Sequence, residues 1–403
     1  MKNYEYYSKL FNDELLKSCV PFWLKNGPDR KHGGLYTCLD RQGKLYSADK
    51  GVWVQGRCAY TFSLLCNIYG KKQEWLALAK SCLDFLDANC FDRADGRMYF
   101  NVTADGKPLR KRRYYFSELF YVLGNAEYYR ATGDKAALEK AKKYMDFIYG
   151  IYCGATADPY KITPKFMPGT RDMKALALPM ILLNTNAVLR RADPENLKTY
   201  DGRALRLISD IKAFEMPDGS GLMRESAGLN DEYYREVASC RIINPGHSFE
   251  LAWFLLDEAE HFRDKALTAY AERLFKATLE FGWDSVYGGL FYFKDAENMP
   301  VEAYEHDMKF WWAMNEGIIA ALKLYKATRN PEYYFQFERL TEWAFSHFPD
   351  REYGEWYGYL RRDGLPTEPP CKGNTWKGPF HLPRMLAICR EILEELKNEK
   401  RSR

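Results

Sequence analysis

The feature that most constrains this chain is a repeat. A short signature, glycine followed by an aromatic or aliphatic pair and then a polar turn, recurs along it. The copies are KHGGLYTCLDRQGK at 31–44, ADGRMYFNVTADGK at 94–107, PDGSGLMRES at 217–226, VYGGLFYFKDAE at 286–297 and EYGEWYGYLRRDG at 352–364. With Gly34, Arg97, Leu222, Leu290 and Trp356 as markers, the gaps are 63, 125, 68 and 66 residues. The doubled gap places a degenerate copy around Tyr152 to Tyr160, so six copies share the 403 residues at about 67 each. A unit of that size cannot bury its own apolar face, and its neighbours must cover it.

Between the copies lie runs with apolar residues at helical spacing: Trp53 to Tyr69, Phe116 to Tyr129, Met173 to Leu189, Phe249 to Ala259, Phe310 to Tyr325 and Leu382 to Leu396. Several are apolar almost all round, as helices covered on every side would be. They alternate with more amphipathic runs, Gln73 to Leu86, Lys135 to Ile148, Lys265 to Phe281 and Tyr333 to Phe348. One buried and one outer helix per repeat, with a hairpin between pairs, predicts an all-α fold, a six-fold (α/α) barrel with short β-hairpins in the connecting loops. An irregular bundle with chance glycine-aromatic turns would not keep its period from end to end. No linker or low-complexity stretch intervenes, and a single domain over 1–403 is expected.

Charge and composition narrow the function classes. Lys plus Arg is 59 and Asp plus Glu 55, a net +4, which supplies no electrostatic reason to bind nucleic acid or an anionic membrane. No apolar run reaches the roughly 18–20 residues of a membrane span. The first residues, MKNYEYYSKLFNDELLKSC, show no secretory pattern, so a cytoplasmic protein is expected. Ten scattered cysteines with no CxxC pair read as reduced and mostly buried, without a metal site. Aromatic residues make up 16%, enough to line a pocket for an amphipathic ligand such as a sugar as well as to fill a core.

Six histidines are candidates for chemistry. His261 and His347 fall on charged outer helices, and His32 sits in a hairpin. His247, in RIINPGHSFELAWFLL, follows a capping Asn244 and a first-turn Pro245 at the start of a very apolar helix. There the helix dipole favours a neutral imidazole, and Glu250, three residues on, shares its face. His381, in KGPFHLPRMLAICREIL, repeats the arrangement. Arg57, in KGVWVQGRCAY, opens the first buried helix, and Glu316, in KFWWAMNEGIIAAL, is a carboxylate in an apolar helix that needs a partner, Arg57 or a histidine. If the buried helices run parallel, their starts converge at one mouth and bring these residues together; a structural Arg57–Glu316 ion pair is the alternative. Phosphate-loop, dinucleotide, HExxH and GxSxG motifs are absent, which leaves imidazole and carboxylate chemistry.

The stretches HGGLYTCLDRQGKLY, VWVQGR, FSELFY, LALPMILLN, NPGHSFELAWFLL, WDSVYGGLFYF, MKFWW, EYGEWYGYL and FHLPR run in order from about residue 20 to 390. In them the sequence resembles the N-acylglucosamine 2-epimerase family, whose mammalian members were also called renin-binding proteins. The resemblance implies an (α/α)6 barrel and interconversion of N-acetylglucosamine and N-acetylmannosamine through an enediolate-like intermediate. It implies His247 and His381 as the two proton-transfer groups, Arg57 as a fixed cation, and Glu250 and Glu316 as groups that orient the histidines or assist ring opening. Asn184, Lys309 and Trp376 are expected in the pocket wall. No metal or redox cofactor is implied. Family members are often activated by ATP without hydrolysis, but the central loop, CGATADPYKITPKFMPGTRD, departs from the Gly-rich pattern expected there. A homodimer is implied by resemblance. Cellobiose 2-epimerases and aldose–ketose isomerases share the barrel, a glycoside hydrolase with two carboxylates could use it, and a non-catalytic binder is a further alternative.

Overall fold

The computed structural model describes residues 2–111, 115–158 and 169–401. Its helices are α1 (Tyr4–Asp13), α2 (Val20–Asn26), α3 (Val52–Tyr69), α4 (Gln73–Asn89), α5 (Phe116–Thr132), α6 (Lys135–Tyr152), α7 (Ala177–Ala192) and α8 (Leu197–Lys212). A short α9 (Ala238–Arg241) precedes α10 (Pro245–Phe262), α11 (Lys265–Gly282), α12 (Trp311–Thr328), α13 (Pro331–His347) and α14 (His381–Arg401). Helices α3, α5, α7, α10, α12 and α14 form the inner ring, with α4, α6, α8, α11 and α13 outside it. The sixth outer position is filled from the other end of the chain: α1 and a wider π-helical turn (Glu14–Cys19) pack on α14 and, with α2 continuing from the turn, close the ring. The fold is the six-fold α/α barrel, with the strands of the described residues in short antiparallel pairs and one three-stranded antiparallel sheet between helices.

Sequence explains the two rings. In α3 and α12 nearly every side chain is buried, polar ones included, whereas α6, α8 and α11 bury one stripe (Ala137, Ala141, Met145 and Ile148 in α6) and expose the rest. Outer helices start on side-chain caps: Asp134, Asp264 and Asn330 each accept the N–H of a first-turn residue. The N-terminal segment and α8 have no counterpart among the sequence runs. The run expected as helix from Met173 begins at Ala177; Met173–Ala175 pair in a strand with Ser226–Gly228 instead.

The repeat signature is a hairpin with a buried anchor. Leu35, Met98, Met223, Leu290 and Trp356 are all buried and bridge back to Pro28, Phe91, Glu215, Trp283 and Pro349 at the ends of the preceding outer elements. The turn before the anchor needs glycine: Gly34 and Gly289 lie at φ +75 and +69°, where a Cβ would also come within 2.6 Å of Gln55 and 2.7 Å of the Trp343 ring. A lysine ahead of the next inner helix pins the turn. Lys50 reaches Asp29 (2.6 Å), Lys111 Asp92 (2.8 Å), Lys309 Asp284 (2.9 Å) and Lys372 Asp350 (2.9 Å). The degenerate copy at 152–160 and the central loop at 153–172 fall partly outside the described residues. No helix among the described residues is long and apolar enough to cross a membrane.

Candidate active site

The inner helices start at one end of the barrel, and that end holds a cavity of about 640 Å³ lined by Arg57, His247, Glu250, Trp312, Trp376 and His381 among others. Arg57, Glu250 and Glu316 each stand five residues past the first residue of α3, α10 and α12. At 1.5 Å per residue they therefore share one level, roughly 7 Å below the helix starts.

His247 is held at the start of α10, where the Asn244 side chain accepts its backbone N–H (3.1 Å) and Pro245 needs no partner. Its Nδ1 bonds both oxygens of Glu225 at 2.9 and 3.0 Å. Glu225 comes from the fourth hairpin, two residues past the anchor Met223, and its backbone N–H and C=O are engaged by Ile242 and Leu176. Burial would lower the pKa of His247, but the Glu225 charge, helped by Glu250 and Glu316, outweighs it and raises the value.

His381 opens α14 and is buried. Its Nδ1–H donates to Glu316 Oε1 at 2.7 Å, which leaves Nε2 as the acceptor. Glu316 is fully buried and also accepts from Trp253 Nε1 (2.7 Å) and Arg384 Nη2 (2.7 Å), and the same Arg384 nitrogen bonds Glu250 at 2.8 Å. Burial, with the cations Arg384 and Arg57 alongside, pushes the His381 pKa well below the ordinary imidazole value. Both rings pack against Trp312, at 5.1 Å for His247 and 5.6 Å for His381 between centroids. One cavity thus holds two imidazoles whose pKa values are pushed in opposite directions.

Arg57 has no carboxylate partner among the described residues. Its guanidinium lies 4.2 Å over Phe120 and 4.8 Å over Phe380, and Nη1 reaches the Trp376 carbonyl at 3.4 Å. Burial brings its pKa down to about 10, so it remains a cation at neutral pH. Glu250, Glu316 and His381 are close enough together to hold a metal ion, but Arg384 is already bonded among them and supplies the positive charge.

The structure brings His247, His381, Glu250, Glu316, Arg57 and Trp376 to this cavity. Two expected wall residues go elsewhere. Asn184 stands seven residues into α7 and lines a separate cavity of about 770 Å³ at the opposite end, among the ends of the inner helices. Lys309 is fully buried on Asp284, the same turn-pinning lysine found in three other repeats. One expected pairing changes, since the partner of Glu250 is Arg384 rather than His247; of the two partners open to Glu316 it takes the histidine, His381, together with Arg384, and not Arg57. Sequence reading missed Glu225, Arg384 and Tyr292. The signal for Arg384 was its place one turn past His381 on an apolar helix. For Glu225 and Tyr292 it was the hairpin register, since both lie two residues past an anchor.

A family model described as N-acylglucosamine 2-epimerase (GlcNAc 2-epimerase) matches residues 34–377. The N-acylglucosamine 2-epimerase of Bos taurus is 35% identical over 395 residues, which cover 94% of this chain and 90% of that protein. The cellobiose 2-epimerase of Bacteroides fragilis is 24% identical over 402 residues, 95% of this chain and 97% of that protein. Among solved structures, the cellobiose 2-epimerase from Bacillus thermoamylovorans B4167 has a TM-score of 0.83 at 23% identity, covering 97% of this chain and all of the other (100%).

Proposed function

The chain belongs to the N-acylglucosamine 2-epimerase family, and from that premise we propose that it interconverts N-acetyl-D-glucosamine and N-acetyl-D-mannosamine by exchanging the proton at C2. The single observation that carries the mechanism is the pair of oppositely poised imidazoles, each on its own carboxylate, in one cavity. In the open-chain sugar C2–H is acidified by the C1 carbonyl. Neutral His381 takes that proton on Nε2, the C2–H electron pair moves into an enediolate-like system, and the charge settles on oxygen. Protonated His247 delivers its proton to C2 from the other face, which inverts the centre and leaves His247 neutral and His381 charged. The reverse reaction starts from that second state.

The remaining groups support charge movement. Arg57, unpaired and over aromatic faces, is the cation available to a developing oxyanion, and six helix N-termini point at the same end. Glu225 and Glu316 fix the ring orientations through Nδ1, as carboxylate partners of catalytic histidines do. Arg384 holds Glu250 and Glu316 together, so neither carboxyl is free to protonate a leaving group, which argues against a hydrolase using them. C2 keeps its oxidation state throughout, so the reaction requires no electron acceptor. A cytoplasmic homodimer that requires no cofactor completes the proposal; the central loop, whose departure from the Gly-rich pattern speaks against ATP activation, lies partly outside the described residues.

Proton NMR of the enzyme with N-acetylmannosamine in deuterated water tests the reading. N-acetylglucosamine carrying deuterium at C2 is the expected product, with the rate compared with and without ATP. If neither conversion nor C2 exchange occurs, the N-acyl assignment fails, and cellobiose, mannose and glucose become the substrates to try.

A further inference from the structure

In three of the hairpins the residue two positions past the anchor turns toward the mouth of the barrel. Phe100 stands there against Trp53 and Trp376, with centroids at 5.4 Å from Trp376. Glu225 holds His247, and Tyr292 lines the cavity. The last copy has Gly358, where a Cβ would meet Lys377 at 2.7 Å. One of these positions therefore holds a catalytic histidine, and Phe100 and Tyr292 shape the walls around it.

The two walls differ in chemistry. On the Arg57 side Trp53, Phe100 and Trp376 make an aromatic surface beside a cation. On the His247 side Tyr292 stacks flat on Phe310 at 3.8 Å and meets Trp312 edge-on at 6.1 Å, with Met308 beside them. Trp312 in turn touches both histidine rings, so this wall begins where C2 must lie and holds whatever substituent C2 carries. An N-acyl group asks for two things there: apolar surface for its alkyl end and a donor for its carbonyl oxygen. Phe310 and Met308 offer the first. For the second, the other tyrosine of the cavity, Tyr359, donates its hydroxyl to Asn374 Oδ1 at 3.3 Å, whereas the Tyr292 hydroxyl has no partner among the described residues.

We infer that Tyr292, with Phe310 and Met308, is the acyl-recognition wall: its hydroxyl donates to the amide carbonyl of the C2 substituent, whose methyl lies against Phe310 and the flexible Met308 side chain. The inference rests on the epimerase reading and specifies which part of the cavity tells an N-acyl sugar from one with a hydroxyl at C2. Thioether side chains suit this task because they adapt to chains of different length.

The test uses N-acetyl-, N-propionyl- and N-butanoylmannosamine with the wild type, Tyr292→Phe and Met308→Ala. Tyr292→Phe keeps the stack on Phe310, should melt with the wild type, and is expected to lower kcat/KM for the N-acetyl sugar about tenfold, mainly through KM, with an unchanged pH profile. Met308→Ala opens room and is expected to shift the N-butanoyl to N-acetyl preference by about tenfold toward the longer chain. An unchanged Tyr292→Phe, or a Met308→Ala that weakens all three sugars equally as a wall for the pyranose ring would, overturns the inference while leaving the epimerase reading in place. A wild type inert on every N-acyl sugar removes both.

Discussion

The two ends of the barrel are built from the same six helices and hold cavities of similar size, yet they treat charge in opposite ways. At the end where the inner helices finish, the buried and half-buried cations each have a carboxylate, Arg190 with Glu258 (2.8 Å), Lys326 with Glu395 (3.0 Å) and Lys323 with Asp257, and the more exposed Arg130 pairs with Glu127 (2.7 Å). Basic residues belong there, because helix C-termini carry partial negative charge, and pairing leaves them chemically quiet. At the starting end Arg57 has no carboxylate partner among the described residues, and the pKa values of the two histidines are pushed apart, up by Glu225 on one side and down by burial beside Arg384 on the other. The larger cavity, at about 770 Å³ against 640 Å³, is the quiet one. What marks the site is uncompensated charge and split titration, which volume does not measure.

The largest effect should separate the ends by their histidines. His381→Ala and His247→Ala are each expected to lower kcat by about 10³-fold or more while the protein still folds, since each removes one half of the proton exchange. His261→Ala, which breaks a half-exposed contact with Asp201 (2.8 Å) at the quiet end, should leave kcat within a factor of two. Steady-state rates on the three variants decide it, and a comparable loss from His261→Ala would erase the distinction. The reverse contrast belongs to stability. Arg190→Ala orphans the fully buried Glu258 and is expected to cost about 3 kcal/mol in urea unfolding with kcat little changed. Burial already raises the Glu258 pKa, so the orphaned carboxyl can escape by protonation and the loss should shrink as pH falls. Next in size, Arg57→Ala should reduce kcat by about 10²-fold with unfolding little changed, because the cation it removes has no carboxylate partner among the described residues to strand.

The same contrast explains what could be read from the residues alone. Polar side chains inside apolar helices are conspicuous, so Arg57, His247, Glu250, Glu316 and His381 stood out, and the period of the hairpins predicted the ring that gathers them. Depth along a helix was harder to see. Asn184 is polar on an inner helix, but at seven residues in it lies about 10 Å down the axis and belongs to the far end. Lys309 is expected in the pocket wall only through the family resemblance that MKFWW helps to carry; its counterparts Lys50 and Lys372, buried on Asp29 and Asp350, identify it as part of the turn. Glu225 depended on register. Marking the copies by Gly34, Arg97 and Leu222 is one residue short of the anchors Leu35, Met98 and Met223, and only the anchors align Glu225 with Phe100 and Tyr292.

Glu225→Gln gives the smallest and sharpest test, because it changes one charge and little shape. The glutamine can still accept from the imidazole Nδ1–H, so the ring keeps its orientation, but the charge that raises the His247 pKa is gone. The direction follows: His247 then loses its proton at lower pH, and if protonated His247 is the acid, the alkaline limb of the kcat/KM profile moves to lower pH, with about a tenfold loss of rate at neutral pH. Stability shifts in the same sense. A histidine whose folded-state pKa is raised stabilises the fold fully below its unfolded value of about 6.5, and that contribution disappears as pH rises through the folded value. Glu225→Gln should therefore destabilise the protein at pH 5 to 6 more than at pH 9, as urea unfolding at several pH values would report. A pH profile that does not move, with activity lost uniformly, would mean that Glu225 only positions the ring, and the two histidines would then owe their difference to burial rather than to their carboxylates.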